Sequence, residues 1–326
     1  MTTCRCCAGK AHRDGFHINR NGRVQRFKCT RCGTKFSEER PLEGVRIETA
    51  KAAQVVHLLC EGMGVRGIAR LTQLDKNTVL RVLTTAGEHC ARLLDAKVRN
   101  VQAEQVEIDE AYSFVKTRPD NTEANDEEHG AFFLFLSLDR ETKLIVNHLI
   151  GKRHGDTARE FLSDLKARVA TRFQLSSDGW KAYNGCWTGG AVRGVFGDDI
   201  DYGSEVKQFG PLVSRISSPE RVSRKFNPVI VKWVKRTPHI GNPDKDQINT
   251  SRVERLNLTV RTFNKRFVRC TLGYSKTLEN HKASAAMFTA FYNFCRVHSA
   301  HGKTPAQKAG LTDHAWTVKE LLAELT

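Results

Sequence analysis

The stretch VQAEQVEIDEAYSFV, residues 101–115, decides the fold of this chain. Its apolar residues and its length predict a β-strand that carries Asp109 near its centre. Two further strands are predicted after it, FFLFLSLD at 132–139 and KLIVNHLI at 143–150. An α/β region therefore begins near residue 101 with three consecutive strands, and the first of them holds a carboxylate.

A helix and a fourth strand follow the three predicted strands. Apolar residues recur at helical spacing over 156–172, which predicts an amphipathic helix. A short strand in FQLSSDGWKAY, residues 173–183, then runs into Asp178. Three strands, a helix and a fourth strand with an acid at its end are the order of the ribonuclease H fold. In that fold the acids of the first and fourth strands lie side by side, so we expect Asp109 and Asp178 to meet.

A third carboxylate is predicted from TSRVERLNLTVRTFNKR, residues 250–266, where Glu254 is the single acid among five arginines and lysines. Helical spacing gives this stretch an apolar stripe and places Glu254, Arg261 and Lys265 along a different face. A carboxylate aimed at the other acids, with a cation two turns further on, would bind metal and grip the adjacent phosphate. The alternative is a solvent-exposed pair of Glu254 with Arg255 or Arg261, worth roughly a few tenths of a kcal/mol.

Several other acids are candidates that rank below these three. Glu107 and Glu110 flank Asp109 and are expected to support the site or to face solvent, although an assignment shifted by one residue stays open. Asp139 begins a turn after the second strand and is expected to be structural. The remaining rivals lack a strand-end position, and they are Asp198, Asp199 and Asp201.

The charge balance points to a polyanionic partner. The 326 residues include 52 Lys and Arg against 36 Asp and Glu, a formal charge of +16, and nucleic acid is the commonest partner of such proteins. The excess is concentrated in residues 1–40 and 204–270, whereas 104–128 is acidic. No run of about 18 apolar residues and no secretory N-terminus are present, so we expect a cytoplasmic, nucleoid-associated protein.

Five of the ten cysteines fall in the first 32 residues, which indicates a metal site rather than a disulfide framework. Cys4-x-x-Cys7 and Cys29-x-x-Cys32 can each place two thiolates on one tight turn, and two such turns complete a tetrahedral zinc site. Between them, Asn21-Gly22 predicts the turn of a β-hairpin. The substitute ligands are His12 and His17, and the arginines expected to contact DNA are Arg20, Arg23, Arg26 and Arg31.

Residues 46–95 predict helices only, arranged as a helix-turn-helix DNA-binding domain with a plain three-helix bundle as the alternative. Helices at 49–62 and 65–71 precede the turn TQLD, and Asp75 or a neighbour caps a third helix from 76 to about 86. The expected core residues of the third helix are Val79, Val82 and Leu83. The residues expected to reach bases and phosphates from its N-terminal half are Lys76, Asn77, Thr78 and Arg81.

In their order along the chain, these motifs resemble transposases of the insertion-sequence-one family, which carry the ribonuclease H-like DDE catalytic domain of many transposases and retroviral integrases. The resemblance covers nearly the whole length and includes CRCC, GRVQRFKCTRCG, IDEAYSFV, FLSLDRETKLIV, SSDGWKAY and the C-terminal FYNFCRVHSAHGKTPAQKAG. It implies a catalytic triad of Asp109, Asp178 and Glu254. It also matches Arg261 to the basic residue that DDE enzymes often carry seven positions after the glutamate.

The resemblance implies a DNA transposase that binds terminal inverted repeats and performs metal-dependent strand cleavage and transfer. The resemblance also implies two Mg²⁺ or Mn²⁺ ions between the triad carboxylates and one structural Zn²⁺. The implied partners are target DNA and further copies of the chain, which form a homo-oligomer on DNA. Two other functions stay open: a DNA-binding regulator derived from an inactive transposase, and a ribonuclease H-like nuclease that cuts without joining. The residues expected to hold the DNA backbone are Lys232, Lys235, Arg236 and the arginines of 252–269, together with Arg261 and Lys265.

Two features depart from the family. All parts lie on one chain, whereas better-known members join two reading frames, and the interval from Asp178 to Glu254 is longer than is common in DDE enzymes. We therefore expect a multidomain chain: a zinc ribbon at 1–40, an all-α helix-turn-helix at 46–95, an α/β ribonuclease H-like catalytic domain at 101–310 with a loop-rich insertion at about 185–247, and a tail at 311–326.

Overall fold

The computed structural model describes residues 4, 6–19, 22–37, 42, 45, 47–123, 126–185, 190–211, 229–269 and 271–323. Several predicted features lie wholly or partly outside these residues: Arg20, Asn21, the end of the predicted ribbon at 38–40, positions 186–189 and 212–228 of the predicted insertion, and the last three residues of the predicted tail.

The N-terminal cysteines flank a small three-stranded antiparallel sheet, whose strands in spatial order are β1 (Ala11–Asn19), β2 (Gly22–Cys29) and β3 (Lys35–Ser37). The predicted hairpin is therefore present. Its pairing continues until Asn19 lies opposite Gly22. Gly22 belongs to β2 rather than to the turn, so the predicted turn position is wrong by one residue.

Three helices follow: α1 (Thr49–Cys60), α2 (Val65–Thr72) and α3 (Lys76–Lys97). The side chain of Asp75 accepts a hydrogen bond of 2.7 Å from the backbone N–H of Asn77, which satisfies one of the donors left open at the start of α3. The predicted core residues of α3 are fully buried, namely Val79, Val82 and Leu83.

Helix α3 continues to Lys97 rather than ending near residue 86, because its second half is also a packing surface. Cys90, Leu93 and Leu94 are buried there. A Cβ added to Gly87 would lie 2.5 Å from the backbone of Ala283, so the glycine permits a later helix to approach α3 closely.

The remainder of the chain is built on a mixed six-stranded sheet. In chain order its strands and the intervening helices are β4 (Gln105–Val115), β5 (Gly130–Asp139), β6 (Ile145–Gly151), α4 (Gly155–Arg168), β7 (Gln174–Ser177), α5 (Lys181–Asn184), α6 (Gly190–Phe196), β8 (Asp201–Pro211) and β9 (Val229–Ile240). The spatial order is β6-β5-β4-β7-β8-β9, with β4, β7 and β8 parallel and the other pairs antiparallel.

Two of these strands correct the expectation of a loop-rich insertion at 185–247. β8 pairs with β7, and β9 pairs with β8 from Tyr202 opposite Ile240 outward, so both belong to the main sheet. The many glycines and prolines of this stretch suggested loops. Gly203 instead allows close packing, because an added Cβ would lie 2.4 Å from the side chain of Ile248.

Four helices complete the described fold: α7 (Ser251–Phe263), α8 (Leu278–Ala290), α9 (Pro305–Lys308) and α10 (Val318–Ala323). Short 3-10 helices lie at Pro119–Asn121, Lys245–Gln247 and Lys265–Phe267, and a π-helix lies at Phe291–Cys295. One face of the sheet packs on α7 and α8. The other face packs on α4 and α6 and continues into the core of α1, α2 and α3. Residues 46–95, which were predicted as a separate domain, thus share a core with the sheet.

The predicted tail at 311–326 is instead part of this shared core over its described residues. Helix α10 packs against α1 and α3, and the ring of Trp316 stacks on that of Phe294 with centroids 4.4 Å apart. The side chain of His89 on α3 also meets the backbone oxygen of Leu321 at 3.0 Å. Within the described part of the chain, none of the helices has both the length and the apolarity that crossing a membrane requires.

Replacing Leu321 by Ala is expected to destabilise the whole fold, because this fully buried side chain belongs to the shared core. A truncation of this kind costs about 2–5 kcal/mol and should lower the melting temperature by several degrees in a thermal scan. Lys319→Ala, at an exposed position of the same helix, is the matched control. Equal melting temperatures for both variants would show that residues 311–323 are the loose tail first expected.

Candidate metal centre and its surroundings

The parallel pairing of β4 with β7 brings acids from distant parts of the chain to one edge. The pairing runs from Gln105 opposite Gln174 to Glu107 opposite Ser176, and β7 ends at Ser177. Asp178, two residues after Ser176, therefore lies beside Asp109, two residues after Glu107 on β4. One oxygen each of Asp109, Glu110 and Asp178 lies within 4.8 Å of the other two.

Asp178 is held by the turn that follows β7. Its Oδ1 accepts a hydrogen bond of 2.9 Å from the backbone N–H of Trp180. Gly179 lies between them, and a Cβ added there would be 2.7 Å from the Val206 side chain of β8. The turn is therefore packed tightly against the neighbouring strand, which fixes the direction of the carboxylate.

Asp109 faces α7, where the side-chain amide of Asn257 donates a hydrogen bond of 2.7 Å to its Oδ2. Burial raises the pKa of Asp109 to about 6, and the negative charges of Asp178 and Glu254 contribute to the rise. Glu254 lies on the same helix, three residues before Asn257.

Glu110 is the residue whose role the sequence ranked too low. Only 2% of its side chain is exposed, so the expectation that it might face solvent is wrong. Its Oε1 accepts a hydrogen bond from the hydroxyl of Tyr183, and its Oε2 accepts one of 3.1 Å from Nε of Arg153. Burial, together with the charges of Asp178 and Asp109, raises the pKa of Glu110 to about 7.

Adjacent residues of a strand point to opposite faces, so Asp109 and Glu110 leave β4 on opposite sides. Both can reach the same space because the β4–β7 pairing ends two residues before Asp109. The carboxylates then converge beyond the end of β7 from the two faces of β4. The only sequence signal for this was the possibility, left open above, of an assignment shifted by one residue.

Glu254 lies on α7 beside this cluster, not within it. Its Oε1 accepts hydrogen bonds from Nζ of Lys207 at 2.6 Å and from Oγ1 of Thr250 at 2.8 Å. The alternative of a solvent-exposed pair assumed Arg255 or Arg261 as the partner of Glu254. The partner is instead a lysine of β8. The sequence could not identify Lys207, because its strand was taken for a loop.

Glu107 ties α7 to β4 and so sets where Glu254 and Asn257 lie. Its buried Oε2 accepts hydrogen bonds from the backbone N–H groups of Arg252 and Val253, at 2.8 and 3.0 Å, in the first turn of the helix. A carboxylate at a helix N-terminus satisfies donors that have no partner inside the helix. Glu107 therefore supports the site and does not face solvent; these were the two roles expected for it.

The remaining acids have structural partners. Asp139 accepts a hydrogen bond of 3.0 Å from the backbone N–H of Thr142, which closes the β5–β6 turn, as its predicted structural role requires. The rival acids pair with arginines: Asp198 with Arg193 at 2.7 Å, and Asp199 and Asp201 with Arg172 at 3.2 and 2.9 Å. Asp201 is the first residue of β8, so the expectation that it lacks a strand-end position is wrong.

The predicted DNA-contacting residues differ in exposure. Arg261 is half-buried; burial lowers its pKa, and within the described residues its Nε is buried without a hydrogen-bond partner. Lys265 is exposed at the start of the following turn. In the first two turns of α3, the predicted DNA-contacting residues Lys76, Asn77 and Arg81 are exposed, and Thr78 is partly buried. Lys232, Lys235 and Arg236 of β9 are exposed as well.

The four predicted cysteine ligands form a second, separate cluster. Sγ of Cys4 is 3.6 Å from that of Cys32, and Sγ of Cys7 is 3.5 Å from that of Cys29. Four thiolates about 2.3 Å from one ion would be about 3.8 Å apart, so this donor set fits tetrahedral zinc. Hydrogen bonding with Thr34 lowers the pKa of Cys32 to about 6, whereas the pKa of Cys7, beside Cys29 and Cys32, is raised to about 12.

The two clusters differ in the metal they suit. Sulfur donors in tetrahedral array suit Zn²⁺, whereas carboxylate oxygens suit hard ions such as Mg²⁺ and Mn²⁺. His12 and His17 are not part of the described four-sulfur group, so the expected ligand set needs no histidine substitute.

Comparison with known proteins adds a distant structural likeness. No protein-family model matches the chain, and no curated protein matches it in sequence. Among solved structures, a cryo-EM structure of a piggyBac transposase synaptic complex with hairpin DNA aligns over 85% of this chain and 70% of that chain, with a TM-score of 0.39 and 9% identity. A likeness at this level does not by itself establish a common fold.

Zinc content should depend on the four-sulfur cluster alone. Protein purified with zinc is expected to hold one Zn²⁺ per chain by elemental analysis, and Cys29→Ser should lose most of it, because three thiolates and a hydroxyl bind zinc far more weakly. Cys6→Ser is the matched control, since Cys6 is exposed and outside the cluster. Equal zinc loss in both variants would contradict the assignment.

The acid cluster should destabilise the metal-free fold at neutral pH. The pKa of Asp109 rises from 3.8 to about 6, so the folded state binds more protons than the unfolded state in between, and stability is lost as the pH rises through this window. At pH 8 without divalent ions, Asp109→Asn should therefore increase the free energy of unfolding by up to about 3 kcal/mol and raise the melting temperature.

The difference between Asp109→Asn and wild type should shrink as the pH falls from 8 toward 5, where wild-type Asp109 becomes protonated. Added Mg²⁺ should raise the melting temperature of the wild type more than that of the variant. Asp120→Asn, at an exposed position, should behave as wild type throughout. A variant less stable than wild type at pH 8 would refute this account of the site.

Proposed function

We propose that the chain is a DNA transposase of the DDE type, a metal-dependent enzyme that cleaves DNA strands and joins them to a target. The observation that carries the proposal is the convergence of Asp109, Glu110 and Asp178 within 4.8 Å of one another, beside Glu254 and within a chain of net charge +16. Buried carboxylates that repel one another need cations, and a strongly basic surface needs a polyanion.

Asp109 and Asp178 would hold the divalent ions, with Glu254 as the third member of the triad and Glu110 as a further oxygen donor. Bound Mg²⁺ or Mn²⁺ supplies charge neutralisation and an activated oxygen nucleophile to phosphoryl transfer. The fit rests on the donor set: three carboxylates offer oxygens within 4.8 Å of one another, and burial disfavours their charged forms unless a cation is bound.

The surrounding residues would orient the carboxylates before substrate arrives. Asn257 holds Asp109, the backbone of Trp180 holds Asp178, and Tyr183 holds Glu110. One oxygen of each acid is fixed by these donors, and the second oxygen of Glu110 also accepts from Arg153, so each carboxylate has a defined direction. Catalysis of phosphoryl transfer depends mainly on such positioning and on charge stabilisation.

DNA binding would be divided among the predicted domains. The zinc ribbon at 1–40 and the helix-turn-helix at 46–95 would recognise terminal inverted repeats, with Lys76, Asn77, Thr78 and Arg81 at base edges and phosphates. Arg261 and Lys265 would hold the backbone near the acids in the ribonuclease H-like domain at 101–310. We further propose membership of the insertion-sequence-one family, action at the nucleoid and a homo-oligomer that joins two DNA ends.

A strand-transfer assay tests this function, with a labelled terminal-repeat duplex taken from the DNA flanking the gene and a supercoiled target. Wild type is expected to cut and join with Mg²⁺ or Mn²⁺. Asp178→Asn should lower the rate by more than about 100-fold, since loss of even an outer-shell partner of a metal site costs about 10–100-fold. Asp198→Asn, a loop acid paired with Arg193, is the matched control and should keep full activity.

The products separate the proposed function from its alternatives. Joined product supports a transposase, cleavage without joining supports a nuclease, and binding without cleavage supports a regulator. Strand transfer that survives in Asp178→Asn would show that the acid cluster is not the catalytic site.

A further inference from the structure

Arg153 contacts two acids of the cluster, although no motif drew attention to it. It belongs to the connection between β6 and α4. Its Nη2 is 3.0 Å from Oε2 of Glu110 and 3.5 Å from Oδ2 of Asp178. The guanidinium carbon is also 4.6 Å from the ring centre of Trp180 and 5.7 Å from that of Phe133. A single positive charge thus bridges two of the three converging acids.

Arg153 contacts the carboxylate oxygens of Glu110 and Asp178 that do not accept hydrogen bonds from Tyr183 or Trp180. Oε1 of Glu110 accepts from Tyr183, and Oδ1 of Asp178 accepts from Trp180. Oε2 of Glu110 and Oδ2 of Asp178 both face the guanidinium. A divalent ion held by these acids requires carboxylate oxygens at about 2.0–2.1 Å. The ion and Arg153 therefore compete for the same atoms.

The side chain of Arg153 has space to move away from the acids. Its side chain is 37% exposed, whereas that of Glu110 is 2% exposed, so the arginine approaches the acids from the solvent side. The flat rings of Trp180 and Phe133 flank the guanidinium, and aromatic faces attract such cations without fixing one position. Arginine is moreover suited to phosphate, which it can bind through two parallel N–H groups.

We propose that Arg153 is a positioning residue that exchanges partners: it is the counter-ion of Glu110 and Asp178 without metal, and it turns to a phosphate of the DNA when a divalent ion binds. This inference rests on the proposed function. It makes metal binding and DNA binding mutually favourable, because the ion releases a cation that the DNA then uses, and such coupling is reciprocal.

Metal binding without DNA is the first test, with Mn²⁺ titrated into the zinc-loaded full-length chain and followed by electron paramagnetic resonance. Arg153→Met, which removes the competing charge but keeps the length of the side chain, should bind Mn²⁺ about 10-fold more tightly than wild type. Arg153→Lys keeps a charge and should stay near wild type. A residue needed only for structure would weaken Mn²⁺ binding when replaced.

DNA binding with and without Ca²⁺ is the second test, measured by fluorescence anisotropy on a labelled duplex. Ca²⁺ should strengthen DNA binding by wild type, and this gain should fall about 10-fold in Arg153→Met. Arg159→Met is the matched control in both tests, because Arg159 is exposed on α4 and pairs with Asp156 at 2.6 Å. Thermal scans of each variant verify that it is folded.

The outcomes distinguish this inference from the proposed function. Mn²⁺ binding by wild type that is lost in Asp178→Asn supports the acid cluster as the metal site. If Mn²⁺ binds in that way but Arg153→Met binds it no more tightly, or keeps the full gain from Ca²⁺, the role of Arg153 is overturned and the proposed function stands. If wild type binds no Mn²⁺ at these acids, both are overturned.

Discussion

The parallel pairing of β4 with β7 is the constraint on which the rest of the site depends. Side chains on a strand alternate between faces, so a slip of one residue in this pairing would move Asp178 relative to both Asp109 and Glu110. The short β7, only four residues long, ends where the acids of β4 begin. A longer β7 would fill the space into which the carboxylates converge.

The price of that convergence is unbalanced negative charge, and the protein distributes several cations and donors around it. Arg153 meets Glu110 and Asp178, Lys207 meets Glu254, and Asn257 meets Asp109. The pKa values of Asp109 and Glu110 nevertheless rise to about 6 and about 7, with burial as the largest cause. A site that is strained in this way without metal is typical of functional sites, where stability is lower than the fold alone would allow.

Local periodicity predicted the elements that carry Asp109, Asp178 and Glu254, because strand and helix patterns depend on near neighbours. β4, β5, β6, α4 and β7 all appear close to their expected places. The strand order also predicted that Asp109 and Asp178 would meet. Pairings outside that order were missed: β8 and β9 resembled loops, and Lys207 on β8 could not be matched to Glu254. Arg153 and Asn257 were missed as neighbours of the acids for the same reason.

A divalent ion held jointly by Asp109 and Asp178 would be visible by anomalous scattering from crystals grown with Mn²⁺. A map calculated at the manganese edge should show a peak within direct coordination distance of both carboxylates, with Glu110 or Glu254 beside it. Manganese peaks found only at exposed acids such as Asp198 and Asp199, with none between Asp109 and Asp178 at saturating Mn²⁺, would contradict the account.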